Sequence, residues 1–249
     1  MKNFLEAHSG LSCLLVNKSK YDGVWVSSLT HAAIKGLPDN ELVTLKERVD
    51  LVEEFKRITD KPIIVDIDNG GNIEHLPFII RWFREAGAYG LIIEDKCGIK
   101  KNSLLEDATQ QLEDVDIFSE KIRIAKQNSG NMKIISRLES LIAKKSKYDA
   151  LIRAEAYINA GVDGVMVHSK QKVDATEVME IGQELRNKHP GLLLVAVPTT
   201  YTLQENHPFD IVINANHLLR ASLKAMEKYI NGENVELSTV EDIFNLVGK

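Results

Sequence analysis

Residues 62–68 read Pro-Ile-Ile-Val-Asp-Ile-Asp, and residues 90–95 read Gly-Leu-Ile-Ile-Glu-Asp. Both stretches are short apolar runs without inside/outside alternation, and both end in acidic residues. Such runs are typical of parallel strands that are buried on both faces of a sheet. Each run opens with a residue that ends a preceding helix, proline in one case and glycine in the other. The two stretches therefore predict parallel strands joined by helical crossovers.

The same pattern recurs along the whole chain. Six further apolar runs cover residues 3–7, 23–27, 133–139, 164–169, 192–197 and 210–216. Segments with apolar spacing near 3.6 lie between several of them, and the first holds Leu42, Leu45, Val49, Val52 and Phe55. Eight strands with crossovers predict an α/β fold, a closed (β/α)8 TIM-type barrel, as one domain over residues 1–249. An open doubly wound sheet is the alternative, but no G-x-G-x-x-G follows a strand.

Two segments depart from the regular alternation. Residues 198–209 look irregular, so we expect the helix after the seventh strand to be short or absent. Residues 231–249 carry Val240, Ile243, Phe244 and Val247 at helical spacing. This spacing predicts an appended C-terminal helix that packs on the barrel or on a neighbouring subunit.

Composition excludes several classes of protein. The 249 residues carry a formal net charge of −5, which argues against nucleic acid as the main partner. The longest near-continuous apolar run, residues 191–197, is far shorter than the ~20 residues of a membrane span. Residues 1–10 contain Glu6 and His8, where a signal peptide needs an unbroken apolar core. Only Cys13 and Cys97 could form a disulfide, so we expect a reducing, cytoplasmic location.

Acidic side chains follow the two strands quoted above. In a (β/α)8 barrel the active site lies at the carboxyl ends of the strands. Asp66, Asp68 and Glu94 would bring hard oxygen donors together there, and the alternation of a strand would place the two aspartates on one face. Such donors favour Mg²⁺ or Mn²⁺, with one or two carboxylates in direct contact. Alternatively, the aspartates bond backbone N–H groups of the turn at residues 69–72.

Other strand ends carry groups suited to an anionic ligand. Arg137 offers a planar fork for a carboxylate or phosphate, unless it only pairs with Glu139. His168 could be a neutral donor, a base or a structural histidine. Residues 97–103, Cys-Gly-Ile-Lys-Lys-Asn-Ser, suit a loop that closes over an anion. The alternative is a solvated basic turn ahead of a helix N-cap at Ser103.

Read in order, these residues resemble the phosphoenolpyruvate mutase branch of the isocitrate lyase superfamily. The sharpest match is E-D-K-x5-N-S, present here as Glu94-Asp95-Lys96 and Asn102-Ser103. The resemblance implies a (β/α)8 barrel that exchanges its last helix between subunits of homodimers or homotetramers. It also implies an isomerase, a Mg²⁺-dependent phosphomutase that interconverts phosphoenolpyruvate and phosphonopyruvate in phosphonate biosynthesis.

The resemblance implies roles for individual residues as well. The implied Mg²⁺ shell is Asp66, Asp68 and Glu94, with Asp66 closest to the ion. The implied contacts to the small-molecule substrate are Trp25 and Ser27 at its oxalyl end, and Arg137 and His168 at its phosphoryl group and pyruvyl oxygen. The implied gating loop carries Lys100, Asn102 and Ser103. Asp39 matches an aspartate that handles or shields the moving phosphoryl group.

The branch within the superfamily depends on the loop. Lyases carry a catalytic cysteine in K-[KR]-C-G-H, whereas Asn102 follows the two lysines here, so a lyase is disfavoured. Phosphonopyruvate hydrolases usually place threonine at the position of Asn102, which favours the mutase. Gly98-Ile99 replaces the usual F-P, and the turn at residues 69–72 is about one residue short. A phosphonopyruvate hydrolase and a non-catalytic barrel scaffold remain the alternatives.

Overall fold

A computed structural model describes residues 1–172 and 175–248. Lys249, the last residue of the predicted C-terminal segment, lies outside them. The prediction of one domain over residues 1–249 stays a prediction. Eight parallel strands close a barrel in sequence order, each paired with its neighbours along the chain and β8 paired with β1. The strands are β1 (Lys2–Glu6), β2 (Gly23–Val26), β3 (Ile63–Asp66), β4 (Gly90–Glu94), β5 (Lys133–Leu138), β6 (Gly164–Val167), β7 (Leu193–Ala196) and β8 (Ile211–Asn214). The predicted (β/α)8 barrel is confirmed.

Helices surround the barrel and continue beyond it. They are α1 (Gly10–Lys18), α2 (Ser28–Ala33), α3 (Leu45–Lys56), α4 (Leu76–Glu85), α5 (Val115–Ser129), α6 (Lys147–Asn159), α7 (Thr176–Lys188), α8 (His217–Ile230) and α9 (Val240–Val247). Residues 197–210, all described, contain no helix, as expected from their irregular sequence. No helix in the described part of the chain is long and apolar enough to cross a membrane.

Two apolar layers hold the strands. The inner layer fills the barrel with at least one side chain from every strand, and Val197 follows β7: Phe4, Trp25, Ile64, Ile92, Ile135, Met166, Val195, Val197, Ile211 and Ile213. The outer layer lies between the strands and the helices. Space inside the barrel is tight, because a Cβ added at Gly23 would lie 2.2 Å from the ring of Phe4. The barrel is therefore a packed core, and a ligand can enter only at its ends.

Two predictions about element bounds are wrong. The sequence includes Leu42 in the first helical segment, but α3 begins at Leu45, and Leu42 is exposed. Thr44 forms a capping box with Glu47, and this local bonding fixes the start of the helix. The alternative of a helix N-cap at Ser103 is also wrong, because the next helix begins only at Val115, capped by Asp114.

The C-terminal segment forms a helix of its own, as predicted. Helix α9 packs against α1, and Lys18 Nζ donates to the carbonyl oxygens of Asn245 and Leu246 at its end. Helix α8 leaves the barrel mouth and buries none of its residues. Cys13 and Cys97 are both free thiols. The cytoplasmic location stays a prediction.

Candidate functional site

A cavity opens at the carboxyl ends of the strands. Nine of the residues selected from the sequence line it: Trp25, Ser27, Asp39, Asp66, Lys100, Asn102, Ser103, Arg137 and His168. The other two, Asp68 and Glu94, lie behind this wall and contact residues that line it. The structure thus brings together every predicted site residue at one end of the barrel, where parallel strands direct their polar ends.

The two aspartates reach the site by different routes. Asp66 is the last residue of β3, but Asp68 follows the strand with a φ of 54°, in the left-handed region. The expectation that strand alternation places both on one face is therefore wrong. Asp66 Oδ1 accepts from the backbone N–H of Asp68, 3.0 Å away, which fixes the bend. Left-handed backbone in a non-glycine residue is strained, and such strain is often found at functional sites.

The carboxylates are held by basic side chains rather than by the turn at residues 69–72. Asp68 pairs with Arg48 NH2 at 2.6 Å and also accepts from Lys100 Nζ. Asp66 Oδ2 lies 3.2 Å from Arg137 NH1 and accepts from Ser28 Oγ. Burial alone would raise the pKa of Asp66, but Lys100 and Arg137 outweigh it and hold that pKa well below its usual range. Asp66 is consequently a carboxylate at every physiological pH.

Arg137 connects three carboxylates. It pairs with Glu94 through NH2 at 2.7 Å, with Asp66 through NH1, and with Glu139 through Nε. Its NH2 also donates to Ser103 Oγ at 3.1 Å. Burial opposes the charge of Arg137, but Glu139 and Glu94 hold its pKa well above the usual value. The cavity wall therefore keeps a permanent positive charge in a fixed orientation.

Glu139 orients His168. Burial would raise the pKa of Glu139, but Arg137 and His168 hold it well below its usual range, so the group is a carboxylate. It accepts from His168 Nδ1 at 2.6 Å, which assigns the ring proton to Nδ1. Burial lowers the pKa of His168 despite Glu139, and the ring is neutral near pH 7. Its Nε2 is then an acceptor, which favours a base over the neutral donor among the predicted roles.

Residues of the loop close over the cavity. Lys100 Nζ lies 3.0 Å from Asp39 Oδ1 and also donates to Ser28 Oγ. Asn102 Nδ2 donates to Asp39 Oδ2 at 2.7 Å. Lys100 is 5% exposed, so the lysine faces inward rather than solvent. The loop predicted to be a lid thus covers the cavity, and it contacts Asp39 in the connection between α2 and α3.

Sequence reasoning overlooked several partners. Arg48 is 1% exposed and donates to the backbone oxygen of Asp66 at 3.0 Å as well as pairing with Asp68. Its signal was present, because a charged residue lies within the apolar stripe of Leu45, Val49 and Val52. Glu139 was treated as an ion-pair partner of Arg137 only. Lys96 belongs to the E-D-K motif, but the sequence assigns no role to it or to Ser28.

The donors suit a hard divalent cation. Five carboxylates, Asp39, Asp66, Asp68, Glu94 and Glu139, stand against four basic groups, Arg48, Lys96, Lys100 and Arg137. With all nine groups ionised, one negative charge is uncompensated, and without a cation burial raises the pKa of Glu94 to about 7, which disfavours that extra charge. Within the described residues no three acidic, histidine or cysteine side chains converge to hold a metal unaided. The residues fit an ion that keeps several waters, as Mg²⁺ does.

Comparisons with known proteins agree with this geometry. The family model described as phosphoenolpyruvate phosphomutase matches residues 2–232. This chain belongs to that family. It is 32% identical to the phosphoenolpyruvate phosphomutase of Tetrahymena pyriformis over 98% of this chain and 86% of the relative.

Solved structures of related enzymes superpose closely on this chain. The phosphoenolpyruvate phosphomutase of Streptomyces platensis subsp. rosaceus superposes with a TM-score of 0.91 at 29% identity, covering 99% of this chain and 90% of the other. A phosphonopyruvate hydrolase in complex with oxalate and Mg²⁺ superposes with a TM-score of 0.86 at 27% identity, with the same coverage. The chain is thus an enzyme of the phosphoenolpyruvate phosphomutase family, in which mutases and hydrolases are similarly close to it.

Proposed function

We propose that this enzyme is a phosphoenolpyruvate mutase that interconverts phosphoenolpyruvate and phosphonopyruvate. The observation that carries the proposal is the double contact of the lid with Asp39, through Lys100 on one carboxylate oxygen and Asn102 on the other. With both contacts made, the lid covers the cavity and excludes bulk water. Retention of the phosphoryl group depends on that exclusion, because water would divert it to inorganic phosphate.

The cation that we propose for this site is Mg²⁺, which the related hydrolase structure contains. Asp66 would hold it, with Asp68 and Glu94 near by. When bound, Mg²⁺ would stabilise the negative charge of an enolate oxygen and a carboxylate. Lys100 now pairs with Asp68 and Asp39, so its ammonium balances part of the negative charge that the ion would meet.

The chain's own residues supply the remaining chemistry. In the direction from phosphonopyruvate, the carbon–phosphorus bond breaks and a bond from phosphorus to the enolate oxygen forms. Arg137 is a fixed cation at the cavity wall, suited to the phosphoryl oxygens that carry charge during transfer. Trp25 lies at the same wall, with its Nε1 buried and without a hydrogen-bond partner in the described part of the chain. We assign Trp25 and Ser27 to the oxalyl end of the substrate.

A phosphonopyruvate hydrolase is the second candidate. Gly98 has a φ of 73°, and no heavy atom lies within 4 Å of the position its Cβ would take. Gly98 and Ile99, at the start of the loop, are therefore loosely packed, and this packing favours opening of the loop and entry of water. Asn102 at the position of the hydrolase threonine favours the mutase instead.

Product analysis by ³¹P NMR separates the two. Incubation of the purified protein with phosphonopyruvate and Mg²⁺ should give phosphoenolpyruvate. Inorganic phosphate as the main product would instead identify a hydrolase. The absence of both products would favour the non-catalytic scaffold, whereas a Mg²⁺-dependent turnover that Asp66→Ala abolishes would exclude it.

We also propose that the enzyme is a homodimer or homotetramer. Helix α8 buries none of its residues, and its Leu223, Met226, Tyr229 and Ile230 are all exposed. An apolar helix face of this size is typical of a surface that another subunit covers.

A further inference from the structure

The lid leaves and rejoins the barrel at one narrow neck. We define the lid as residues 97–111, between β4 and α5. Lys96 and Leu112 form an antiparallel bridge, and the backbone N–H of Cys97 donates to the carbonyl oxygen of Gln111 at 3.0 Å. The N–H of Glu113 donates to the carbonyl oxygen of Asp95 at 2.9 Å. A loop whose ends are fastened so closely can move as one unit.

The ammonium group of Lys96 lies inside this loop. Its Nζ donates to the carbonyl oxygen of Lys101 at 2.9 Å, to Ser103 Oγ at 2.9 Å and to Gln110 Oε1 at 3.1 Å. An ammonium group has three donors, and all three acceptors belong to the lid. Lys101 and Ser103 belong to the first half of the lid, and Gln110 lies near its end. A single side chain therefore ties both arms of the lid together.

The barrel holds Lys96 from the other side. Glu94 Oε1 lies 3.5 Å from its Nζ and Glu139 Oε2 lies 3.9 Å from it. Lys96 is 5% exposed. Both acidic residues lie at strand ends of the barrel, so they stay beside Lys96 when the lid moves. An open lid would exchange these three bonds for bonds to water, so the hydrogen bonds made by this charged group favour the closed lid.

Ser103 connects Lys96 to residues that line the cavity. Its Oγ accepts from Lys96 and from Arg137 NH2, and it donates to Glu139 Oε2 at 2.7 Å. Glu139 in turn bonds His168. Lys96 itself does not line the substrate cavity; it borders a second cavity behind the lid. Lys96 therefore acts on the chemistry only through the residues that it contacts, which are Ser103 and the lid on one side and Glu94 and Glu139 on the other.

We propose that Lys96 is a positioning residue that latches the lid, and that it thereby decides how much of the phosphoryl group reaches water. The second half of this inference rests on the proposed mutase function, and the first half does not. Asn69 Nδ2, which donates to the carbonyl oxygen of Gly98 at 3.3 Å, is a weaker second fastening at the start of the lid. The Asn69 side chain is partly exposed and uncharged, so Lys96 contributes more than Asn69 to holding the lid closed.

Hydrogen exchange measured by mass spectrometry tests the latch without substrate. In the full-length protein with Lys96→Met, amides of residues 97–111 should exchange about tenfold faster or more, while those of α6 stay unchanged. Gln110→Ala, which removes one acceptor on the lid side, should give a smaller increase in the same peptides. Lys101→Met is the matched control, since that side chain is exposed. Parental exchange rates in Lys96→Met would overturn the latch, and so would equal acceleration throughout the protein in both Lys96→Met and Gln110→Ala.

Product partition tests the consequence for catalysis. With phosphonopyruvate and Mg²⁺, Lys96→Met should raise the ratio of inorganic phosphate to phosphoenolpyruvate by about tenfold. Lys96→Arg, which retains charge and donors, should restore much of the parental ratio. An unchanged ratio in Lys96→Met, with both products reduced alike, would contradict the control of water by the latch. If the parent protein forms neither product, the mutase proposal fails, and hydrogen exchange still decides whether Lys96 latches the lid.

Discussion

Arg48 shows how one buried side chain fixes the acidic cluster. It bonds the backbone oxygen of Asp66 and the carboxylate of Asp68, which has left-handed backbone. Burial would lower the pKa of Arg48, but Asp68 and Asp66 outweigh it and keep the pKa above its usual value. The guanidinium therefore stays charged and holds Asp68 in its bent conformation.

Removal of Arg48 should damage stability and cation binding together. Arg48→Met leaves Asp68 buried with Lys100 as its remaining basic partner, so we expect a loss of about 3–5 kcal/mol in the free energy of unfolding. Urea denaturation measures this loss. Calorimetric titration with Mg²⁺ and oxalate should show at least about tenfold weaker binding, because the ligands lose their orientation. Arg57→Met is the control, because Arg57 is the exposed residue that follows α3. Unchanged binding of Mg²⁺ by a folded Arg48→Met protein would contradict the positioning role.

His31 should make stability depend on pH. This histidine is buried in α2, and burial, with Lys35 and Arg48 near by, lowers its pKa to about 4 from 6.5. Between those values the unfolded chain binds a proton that the folded protein does not, so stability falls as pH decreases from about 6.5 towards 4. Between pH 7 and 5 the loss from this group should be about 2 kcal/mol. His31→Leu should lose correspondingly less stability in urea denaturation at the two pH values; equal losses in both proteins would show that His31 does not titrate as argued.

At this scale the sequence predicts which residues meet but not how they pair. Polar residues at strand ends must converge in a barrel, so the sequence alone predicts that Asp66, Glu94, Arg137 and His168 lie close together. Their partners depend on side-chain packing. The bond of Glu139 to both Arg137 and His168, and the approach of Arg48 from a helix, follow from three-dimensional distances that no spacing along the chain encodes.

Among the elements, the lid is the one that we propose to determine the outcome of the reaction. Asn102 donates to Asp39, accepts from the N–H of Leu104 through Oδ1, and accepts from Gln110 through its carbonyl oxygen. The amide thus fixes the tip of the lid and its contact with the barrel at once. A shorter side chain would keep the turn but lose the reach to Asp39.

Asn102→Thr should therefore shift the product from phosphoenolpyruvate towards inorganic phosphate. Loss of one hydrogen bond to a carboxylate weakens closure by about 1.5–3 kcal/mol, which corresponds to roughly a tenfold or larger increase in the open population. ³¹P NMR of the products from phosphonopyruvate measures the change. Thr109→Ala, an exposed substitution elsewhere in the lid, should leave the product ratio unaltered. A parental ratio of the two products in Asn102→Thr would show that the Asn102 amide does not control the choice of product.

Strands were predicted better than the ends of elements. Apolar runs identify all eight strands because each is buried on both faces. The bend after Asp66 and the start of α3 were missed, since a left-handed residue and a capping box depend on local hydrogen bonds. The lid was recognised from its lysines and small polar residues, whereas the latch at Lys96 requires that a strand end and a loop residue be seen together.

The described part of the chain leaves apolar side chains on three helices, α1, α8 and α9, uncovered. Exposed apolar residues are Leu11 and Leu15 on α1, Leu223, Met226, Tyr229 and Ile230 on α8, and Val240, Ile243, Phe244 and Val247 on α9. Helix α8 is tied to the barrel mouth because Glu6 Oε2 accepts from the backbone N–H of Leu219 at 3.2 Å. The other oxygen of Glu6 bonds His8. The start of α8 is thus fixed relative to the site, while the rest of the helix has no cover within the described chain.

We propose that a second copy of the chain covers these exposed helix faces. Light scattering after size-exclusion chromatography tests this assembly. The parent protein should elute with at least twice the 27.9 kDa mass of one chain. Met226→Glu combined with Ile230→Glu places two charges on the exposed apolar face of α8, where desolvation would be costly, and should yield monomers. Lys228→Glu changes charge on the same helix and should leave the mass unchanged. Because Glu6 links α8 to the barrel mouth, the monomeric variant should also bind oxalate and Mg²⁺ more weakly. A monomeric parent protein at micromolar concentration would refute the assembly and would leave the mutase proposal to be judged on its products alone.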